Sequence, residues 1–315
     1  MSTIELNQFI RETAQNLGFS KIGIAPANPD PLSEKRLNSW LGSGYHATMH
    51  WMEKRSGKRG NIHNYFPEAK SVISLALNYF TGTSSNSANV GKVSNYAWGD
   101  DYHALMKPRL YQFLREIKTI NSITKGVVCV DTSPIMEKSW AQKAGMGWIG
   151  KHTNLITQDF GSWIFLGEIL LDIDLDYDNP FTEDLCGTCT ACLDACPTNA
   201  FPEPYVLDAS KCISYLTIEH RGDLPPEMDD QLSGWIYGCD ICQEVCPWNI
   251  TFSQLSNEES FQPRENLRER TMDQWRMLTE DEFRKLFKNS AVKRTKYEGL
   301  KRNIDSVRKS FGESV

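Results

Sequence analysis

The sequence Cys186-Gly-Thr-Cys189-Thr-Ala-Cys192-Leu-Asp-Ala-Cys196-Pro197 decides how this chain is organised. Its first three cysteines fall within a single seven-residue loop, so the loop can present three thiolates to three iron atoms of a cubane. The fourth cysteine begins the next segment, and the proline directly after it turns the chain away from the cluster. The spacing therefore predicts a [4Fe–4S] cluster on this loop, with the fourth thiolate left for a second cluster.

A second cysteine motif, Cys239-Asp-Ile-Cys242-Gln-Glu-Val-Cys246-Pro247, repeats part of this pattern. The first motif matches the full run of bacterial ferredoxins, whereas the second has one cysteine fewer. A lone cysteine between the two motifs makes up the number, so eight thiolates serve two cubanes by cross-ligation. We predict one cluster on Cys186, Cys189, Cys192 and Cys246, and the other on Cys196, Cys212, Cys239 and Cys242.

Zinc is the alternative metal for these cysteines. Zinc ribbons use two separated Cys-x2-Cys knuckles, and they do not need three cysteines in one loop followed by Cys-Pro. The pattern therefore favours iron. The ninth cysteine, Cys129, lies in the apolar run 127–130 and is predicted to be a small buried hydrophobe.

The composition places the chain among globular proteins. It has 315 residues, 40% hydrophobic residues and a net charge of −6, which argues against polyanion binding by the surface as a whole. No apolar stretch is long enough to cross a bilayer, and the N-terminus does not read as a signal peptide. Nine cysteines without an export signal indicate a reducing compartment. We expect a cytoplasmic, monomeric protein that does not contact a membrane.

The chain divides into three predicted regions. Strand-like runs at 21–25, 72–80, 126–130 and 163–173 alternate with helical stretches such as Tyr102–Ile120, which favours an α/β domain over residues 1–175. Residues 152–210 contain no Lys or Arg, and this change in composition marks the start of a ferredoxin-like domain over 176–255. The remaining residues, 256–315, are predicted to be a short helical, basic tail.

The basic tail has two interpretations. Between Arg284 and Lys309 there are ten Lys or Arg residues against two acids. A solvated helix pair accounts for this charge, and so does a surface that contacts a polyanion. The sequence alone leaves both open.

Gly145-Met-Gly147-Trp-Ile-Gly150 spells the G-x-G-x-x-G run of dinucleotide-binding folds. In those folds the run follows a strand and opens a helix. Here a helix is predicted before it, over 135–144, with Ser133 as its N-cap and Pro134 in its first turn. Gly145 is therefore predicted to end that helix, and we do not expect a nicotinamide site.

Asp101-Tyr102-His103 begins like D-x-H-x-x-G, the signature of one class of cobalamin domain. Met106 occupies the glycine position, so the motif is broken. His103 is interpreted as a polar helix residue, and the run by itself gives no evidence for a corrin.

Asp131 follows the strand predicted at 126–130 and precedes the predicted helix start. In open α/β sheets, ligands lie outside the carboxyl ends of the strands, where helix N-termini also point. An acid there is placed for proton transfer to a bound group, although it is equally placed to cap the next helix. Position alone does not separate these two hypotheses.

The assembled motifs resemble the epoxyqueuosine reductase family over residues 1–305. The resemblance rests on both cysteine motifs and on several further stretches. These are Met49-His-Trp-Met52 with Arg59, Tyr96-Ala97 with Asp101-Tyr102-His103, Val130-Asp131-Thr132-Ser133-Pro134 with Glu137, residues 143–151, Asn154-Leu155-Ile156 and residues 215–222.

This resemblance implies a mixed α/β and α+β architecture and an oxidoreductase that converts epoxyqueuosine to queuosine at the wobble position of tRNA. It implies base-off cobalamin against the α/β domain, fed through two [4Fe–4S] clusters by an external low-potential electron donor. Asp131 matches the family's proposed proton donor. Further candidates for cobalamin contact are Arg59, Tyr96, His152 and Asn154, and candidates for tRNA contact are Arg221, Lys293, Arg294, Lys296, Lys301 and Arg302.

Two alternative functions share the cysteine pattern. A corrinoid reductive dehalogenase pairs cobalamin with two clusters, but such enzymes usually carry a twin-arginine export signal. A ferredoxin-type electron-transfer protein without its own catalysis accounts for the cysteines, but it leaves the α/β domain and Asp131 unexplained. Longer relatives continue into helical repeats, which leaves open how much of a tRNA this chain contacts.

Overall fold

A four-stranded sheet forms the centre of the N-terminal half of the computed structural model, which describes residues 3–84, 89–229 and 231–310. The strands are β1 (Lys21–Pro26), β2 (Ser71–Asn78), β3 (Lys92–Val93), β4 (Gly126–Cys129), β5 (Trp148–Ile149), β6 (Leu155–Ile156), β7 (Ile164–Leu171) and β8 (Trp235–Tyr237).

Helices cover the sheet and are the main regular structure of the C-terminal half. They are α1 (Thr3–Asn16), α2 (Pro31–Gly42), α3 (Trp51–Lys54), α4 (Ser56–Gly60), α5 (Tyr102–Ile120), α6 (Glu137–Lys143), α7 (Ala191–Asp194), α8 (Ile213–Ile218), α9 (Ile241–Glu244), α10 (Pro247–Phe252), α11 (Met272–Arg276), α12 (Glu280–Leu286) and α13 (Lys296–Ser310). Among the described residues, no helix is both long and apolar enough to cross a membrane.

The central sheet has the order β1-β2-β7-β4 and is covered on both faces. All residues of β2 are buried, because one face packs against α1 and α5 while the other packs against α6. A strand buried on both faces needs a continuous apolar run, which is why its sequence stands out. The four predicted strands and the helix Tyr102–Ile120 are confirmed, and with them the mixed α/β architecture.

The direction of the strands corrects one step of the sequence argument. Each pair of neighbours in this sheet is antiparallel, whereas the rule that places ligands at carboxyl ends describes parallel sheets. Both β2 and β4 nevertheless run antiparallel to β7, so they end at the same edge. Asp131 therefore lies at an edge where two strands end, for a different reason from the one expected.

The C-terminal half has its own hydrophobic core. Trp235, Trp275, Phe287 and Ile304 are fully buried in it, and β8 pairs in parallel with β3 from the N-terminal half. Helix α13 buries its apolar face, so the tail is more than a solvated helix pair. The three domain ranges remain a prediction.

Candidate functional site

The four cysteines predicted to hold the first cluster lie together. They line a cavity of about 210 Å³, with Trp248 at its wall. Burial, with smaller contributions from the neighbouring thiols of Cys246 and Cys186, raises the pKa of Cys192 to about 11, because a buried thiolate is poorly solvated and thiolates repel one another. A compact group of thiols around an enclosed space suits a cationic metal cluster, and Cys189 leaves this site exposed to solvent. The cysteines are Cys186, Cys189, Cys192 and Cys246.

The second predicted quartet lies next to the first, since Cys242 is close enough to Cys192 for their charges to interact. Burial, and then the thiol of Cys242, raises the pKa of Cys239 well above its usual value. The pKa of Cys242 is also raised well above its usual value, first by burial and then by charge interactions that include those with Cys212, Cys192 and Cys196. These four thiols are thus close enough to interact, and Cys212 also lines a much larger cavity. The described structure pairs none of the nine cysteines in a disulfide.

The large cavity lies at the sheet edge where β2 and β4 end. Its volume is about 1430 Å³, which exceeds the roughly 300–1,000 Å³ of an ordinary small-molecule pocket. Its wall combines aromatic and apolar residues, including Tyr96, Tyr102 and Phe165, with charged groups from distant segments. A cavity of this volume and lining accommodates a large, partly apolar ligand.

Asp131 enters this cavity from a loop whose backbone is strained. Its φ is +45°, in the left-handed region that a non-glycine residue adopts at a cost of about 1 kcal/mol. Its backbone N–H donates a short hydrogen bond to the carboxylate of Glu137. Burial, with a smaller contribution from the charge of Asp131, raises the pKa of Glu137 to about 8. Glu137 therefore holds the loop in place.

The helix predicted after Asp131, with Ser133 as its N-cap and Pro134 in its first turn, begins later than expected, so that part of the prediction is wrong. Helix α6 begins at Glu137, Met136 occupies the N-cap position, and no side chain caps the helix. Ser133 and Pro134 instead belong to the bends after Asp131. Because Asp131 does not cap α6, its carboxylate remains available to the cavity. The helix does end as predicted, with Gly145 at a φ of +73°.

The glycines after α6 serve backbone packing. A Cβ on Gly147 would lie 2.0 Å from the carbonyl oxygen of Ile156, so glycine allows β5 and β6 to approach. This accounts for the G-x-G-x-x-G run without a dinucleotide.

His103 is the residue that the sequence argument missed. Its Nδ1 lies 2.7 Å from Asp101 Oδ1, and its Nε2 lies 3.2 Å from Asp131 Oδ2. Burial lowers the pKa of His103, but hydrogen bonds to the two carboxylates outweigh this and raise it to about 9. The imidazole is therefore protonated at neutral pH. The sequence feature that could have predicted this position is Asp101, because as the N-cap of α5 it fixes the first turn of the helix, which carries His103.

The predicted cofactor contacts divide into two places. Arg59, Tyr96 and Asn154 line the large cavity with Asp131. Arg59 is 7% exposed, and its Nη1 has no hydrogen-bond partner among the described residues, which leaves a buried donor for a ligand. His152 instead lines the small cavity beside the first cysteine quartet, and burial lowers its pKa to about 4.

Lys138 is a further cavity residue that the sequence argument did not single out. Its Nζ donates hydrogen bonds to Asn154 Oδ1 at 2.8 Å and to the carbonyl oxygen of Thr153 at 3.0 Å. It thereby joins α6 to the segment that carries Asn154.

The predicted tRNA contacts also separate. Lys293 and Arg294 line the large cavity, and Arg294 forms an ion pair with Glu219 at 2.8 Å. Arg221 donates a hydrogen bond to the carbonyl oxygen of Arg294, so Arg221 lies close to Arg294 and to its neighbour Lys293. Lys296, two positions after Arg294 along the chain, is exposed to solvent. Two others donate to backbone carbonyls: Lys301 to Arg276, and Arg302 to Leu216, His220 and Gly222.

Two family models match the chain. Residues 185–249 match a 4Fe-4S double cluster binding domain, which supports iron–sulfur binding by the cysteine-rich segment. Residues 59–132 match the model described as epoxyqueuosine reductase QueG, DUF1730. The first match contains all eight cysteines of the two predicted quartets, and the second contains Arg59, Tyr96, His103 and Asp131.

Similar proteins match over nearly the whole chain. The chain is 46% identical to an epoxyqueuosine reductase of Cellulophaga algicola, covering 96% of this chain and 98% of that protein. It is 40% identical to the epoxyqueuosine reductase of Escherichia coli, covering 95% of this chain and 80% of that protein. A crystal structure of epoxyqueuosine reductase with an epoxyqueuosine-modified tRNA stem loop superimposes with a TM-score of 0.91 at 28% identity, covering 99% and 83% of the two chains.

Proposed function

The chain belongs to the epoxyqueuosine reductase family and is an oxidoreductase that reduces epoxyqueuosine in tRNA, and we propose that it does so with cobalamin and with Asp131 as proton donor. The product is queuosine at the wobble position. One observation carries this proposal: Asp131 and Cys212 line the same cavity, so a proton donor and a thiol of the inner quartet face one space.

The iron–sulfur part of the proposal follows from the two quartets. The outer quartet includes the exposed Cys189, so it suits entry of electrons from an external low-potential donor. The inner quartet touches the large cavity through Cys212 and suits their delivery. The double-cluster domain over 185–249 supports two [4Fe–4S] clusters at these positions.

The cavity residues fit a base-off cobalamin. Arg59 offers an unpartnered buried donor, while Tyr96, Asn154 and Lys138 add polar groups on an apolar wall. A large, mostly apolar cavity with a few placed polar groups is what a cofactor of this size requires. When bound there, cobalamin supplies low-potential electrons, which no side chain can do. His152, beside the outer quartet, is a weaker candidate for contact with it.

Asp131 contributes the proton. An oxygen leaves carbon more easily when it is protonated as the bond breaks, and a positioned carboxyl group does this. The Asp131 carboxylate lies on the cavity wall, and Glu137 holds its backbone.

The tRNA part of the proposal rests on charge. Lys293, Arg294 and Arg221 form a local basic patch at the cavity on a protein with a net charge of −6. Such a patch contacts phosphates and guides the wobble nucleotide inward. We also propose that the protein acts in the cytoplasm as a monomer and that its regions are 1–175, 176–255 and 256–315.

Replacing Asp131 tests the proposal. We expect Asp131→Asn to retain iron and bound cobalamin, measured by metal content and by absorption and EPR spectra under anaerobic conditions. Conversion of epoxyqueuosine in tRNA should fall by about 10²-fold or more, because the proton donor is gone. Exposed Asp159, which lies outside the cavity, offers a matched control as Asp159→Asn. Wild-type turnover by Asp131→Asn would remove Asp131 from the mechanism.

The two alternatives are less well supported. Relatives at 40–46% identity over nearly the full chain are epoxyqueuosine reductases, which argues against a dehalogenase. A simple electron carrier has no use for a large cavity that contains Asp131.

A further inference from the structure

The reduction needs more protons than Asp131 holds. Converting an epoxide to an alkene breaks two carbon–oxygen bonds and releases the oxygen as water. The balanced reaction consumes two electrons, supplied through the proposed clusters, and two protons. A single carboxyl group carries one proton, so Asp131 must be reprotonated within each turnover.

We propose that His103 reprotonates Asp131, and that Asp101 holds His103 in position for this transfer. This inference rests on the proposed function. Asp131 gives its proton to the oxygen as the first carbon–oxygen bond breaks, and its carboxylate then takes the proton from His103 Nε2. The recharged Asp131 donates again as the second bond breaks, and water leaves.

The geometry supports this path at each step. Nε2 of His103 lies 3.2 Å from Asp131 Oδ2, within reach of a direct proton transfer. On the other side, Asp101 Oδ1 accepts from Nδ1 at 2.7 Å, which fixes the ring and stabilises its positive charge. The ring also stacks on Tyr102, with centroids 4.1 Å apart, and Tyr102 stacks on Phe165. His103 therefore has one orientation and faces Asp131.

The proton supply continues outward from His103. The side chains of His103 and Asp101 are each about 33% exposed, so solvent can recharge the imidazole between turnovers. The pKa of His103 is raised to about 9, after burial has lowered it, by its hydrogen bonds to Asp101 and Asp131. The hydrogen bond to Asp131 raises this pKa when Asp131 is a carboxylate, which is its state after it has given its proton to the oxygen, so the imidazole holds a proton at neutral pH at the step where Asp131 needs one. Other charges around this pair come from Glu137, Arg59, Lys138 and Arg294.

His103→Gln tests the inference, because glutamine can still form hydrogen bonds but its amide cannot release a proton to a carboxylate. We expect unchanged iron and cobalamin content and a single-turnover rate about 10²-fold lower with a chemical reductant. The partly buried His63, whose Nδ1 lies 3.3 Å from the carbonyl oxygen of Pro67 and which does not line the cavity, gives the matched control His63→Gln, with a wild-type rate.

The pH profile separates proton supply from a merely structural role. The wild-type rate should fall as pH rises through about 9, because His103 then loses its proton. His103→Gln should lack this alkaline limb. Asp101→Asn still caps α5, but it should move the limb to lower pH, since the imidazolium loses its stabilising carboxylate.

Two results would count against the inference. A wild-type rate in His103→Gln, or an alkaline limb that persists in it, would show that the proton reaches Asp131 by another path. A wild-type protein that fails to convert epoxyqueuosine at all would instead contradict the proposed function, so the two failures are distinguishable.

Discussion

The cysteine-rich segment and the large cavity differ in how far apart their residues lie in the sequence. Cys186, Cys189 and Cys192 lie on one loop, and the outer quartet needs only Cys246 from elsewhere. The cavity draws its residues from segments between Met49 and Arg294. The outer quartet is therefore set mainly by the local spacing of its cysteines, while the large cavity forms only when distant segments of the chain come together.

This difference has a functional consequence. In a cluster site each thiolate is a required ligand, so one substitution removes a cluster. In the cavity the proposed chemistry is shared between Asp131, Glu137 and His103, which are linked by hydrogen bonds. Substitutions there should therefore give graded losses.

The largest expected effect is at Cys212, which belongs to the inner quartet but to neither motif. We expect Cys212→Ala to lose about half of the iron and sulfide, because one of two cubanes lacks a ligand, and to lose activity completely. The buried Cys129, whose pKa burial raises to about 12, gives the control Cys129→Ala, which should keep all its iron. Unchanged iron content in Cys212→Ala would exclude Cys212 as a ligand.

The same contrast explains which features the sequence predicted. The cysteine spacing and the buried run of β2 are local, so both were recognisable. His103 was missed because its partner Asp131 lies 28 positions away, and only tertiary structure joins them.

Local signals also misled at two points. Ser133 and Pro134 have the residue types of a helix start, but the loop follows the hydrogen bond from Asp131 to Glu137 instead. Alternating strands and helices did not reveal strand direction, because side-chain periodicity is the same in parallel and antiparallel pairs.

An intermediate effect is expected at Glu137. Glu137→Ala leaves the Asp131 N–H without its acceptor, and the strained loop should loosen. A lost hydrogen bond of this kind costs about 0.5–1.5 kcal/mol, so we expect a rate lower by at most roughly tenfold, measured in single turnovers. Glu137→Gln keeps an acceptor oxygen and should be close to wild type at pH 7. Equal rates for the alanine and wild-type proteins would show that the loop needs no such support.

The pH dependence of stability sharpens this test. The folded-state pKa of Glu137 is raised, mainly by burial, from 4.5 to about 8. Between these values the folded state binds more protons than the unfolded state, so its contribution to stability falls as pH rises. Urea unfolding of the wild type and of Glu137→Gln at pH 6 and pH 9 should show the difference. The wild type should lose more stability than the variant, and parallel losses would contradict the raised pKa.

The smallest expected effect compares two lysines of the basic tail. Lys293 lines the cavity, whereas Lys301 donates its hydrogen bond to the carbonyl of Arg276. If Lys293 contacts a phosphate, Lys293→Ala should weaken tRNA binding severalfold and lower the slope of log affinity against log salt by about 0.7–0.9. Lys301→Ala removes the same charge outside the cavity and should leave that slope unchanged. Equal slopes in both variants would mean that the tail acts through its total charge, and the cavity would then have no basic contact specific to the tRNA.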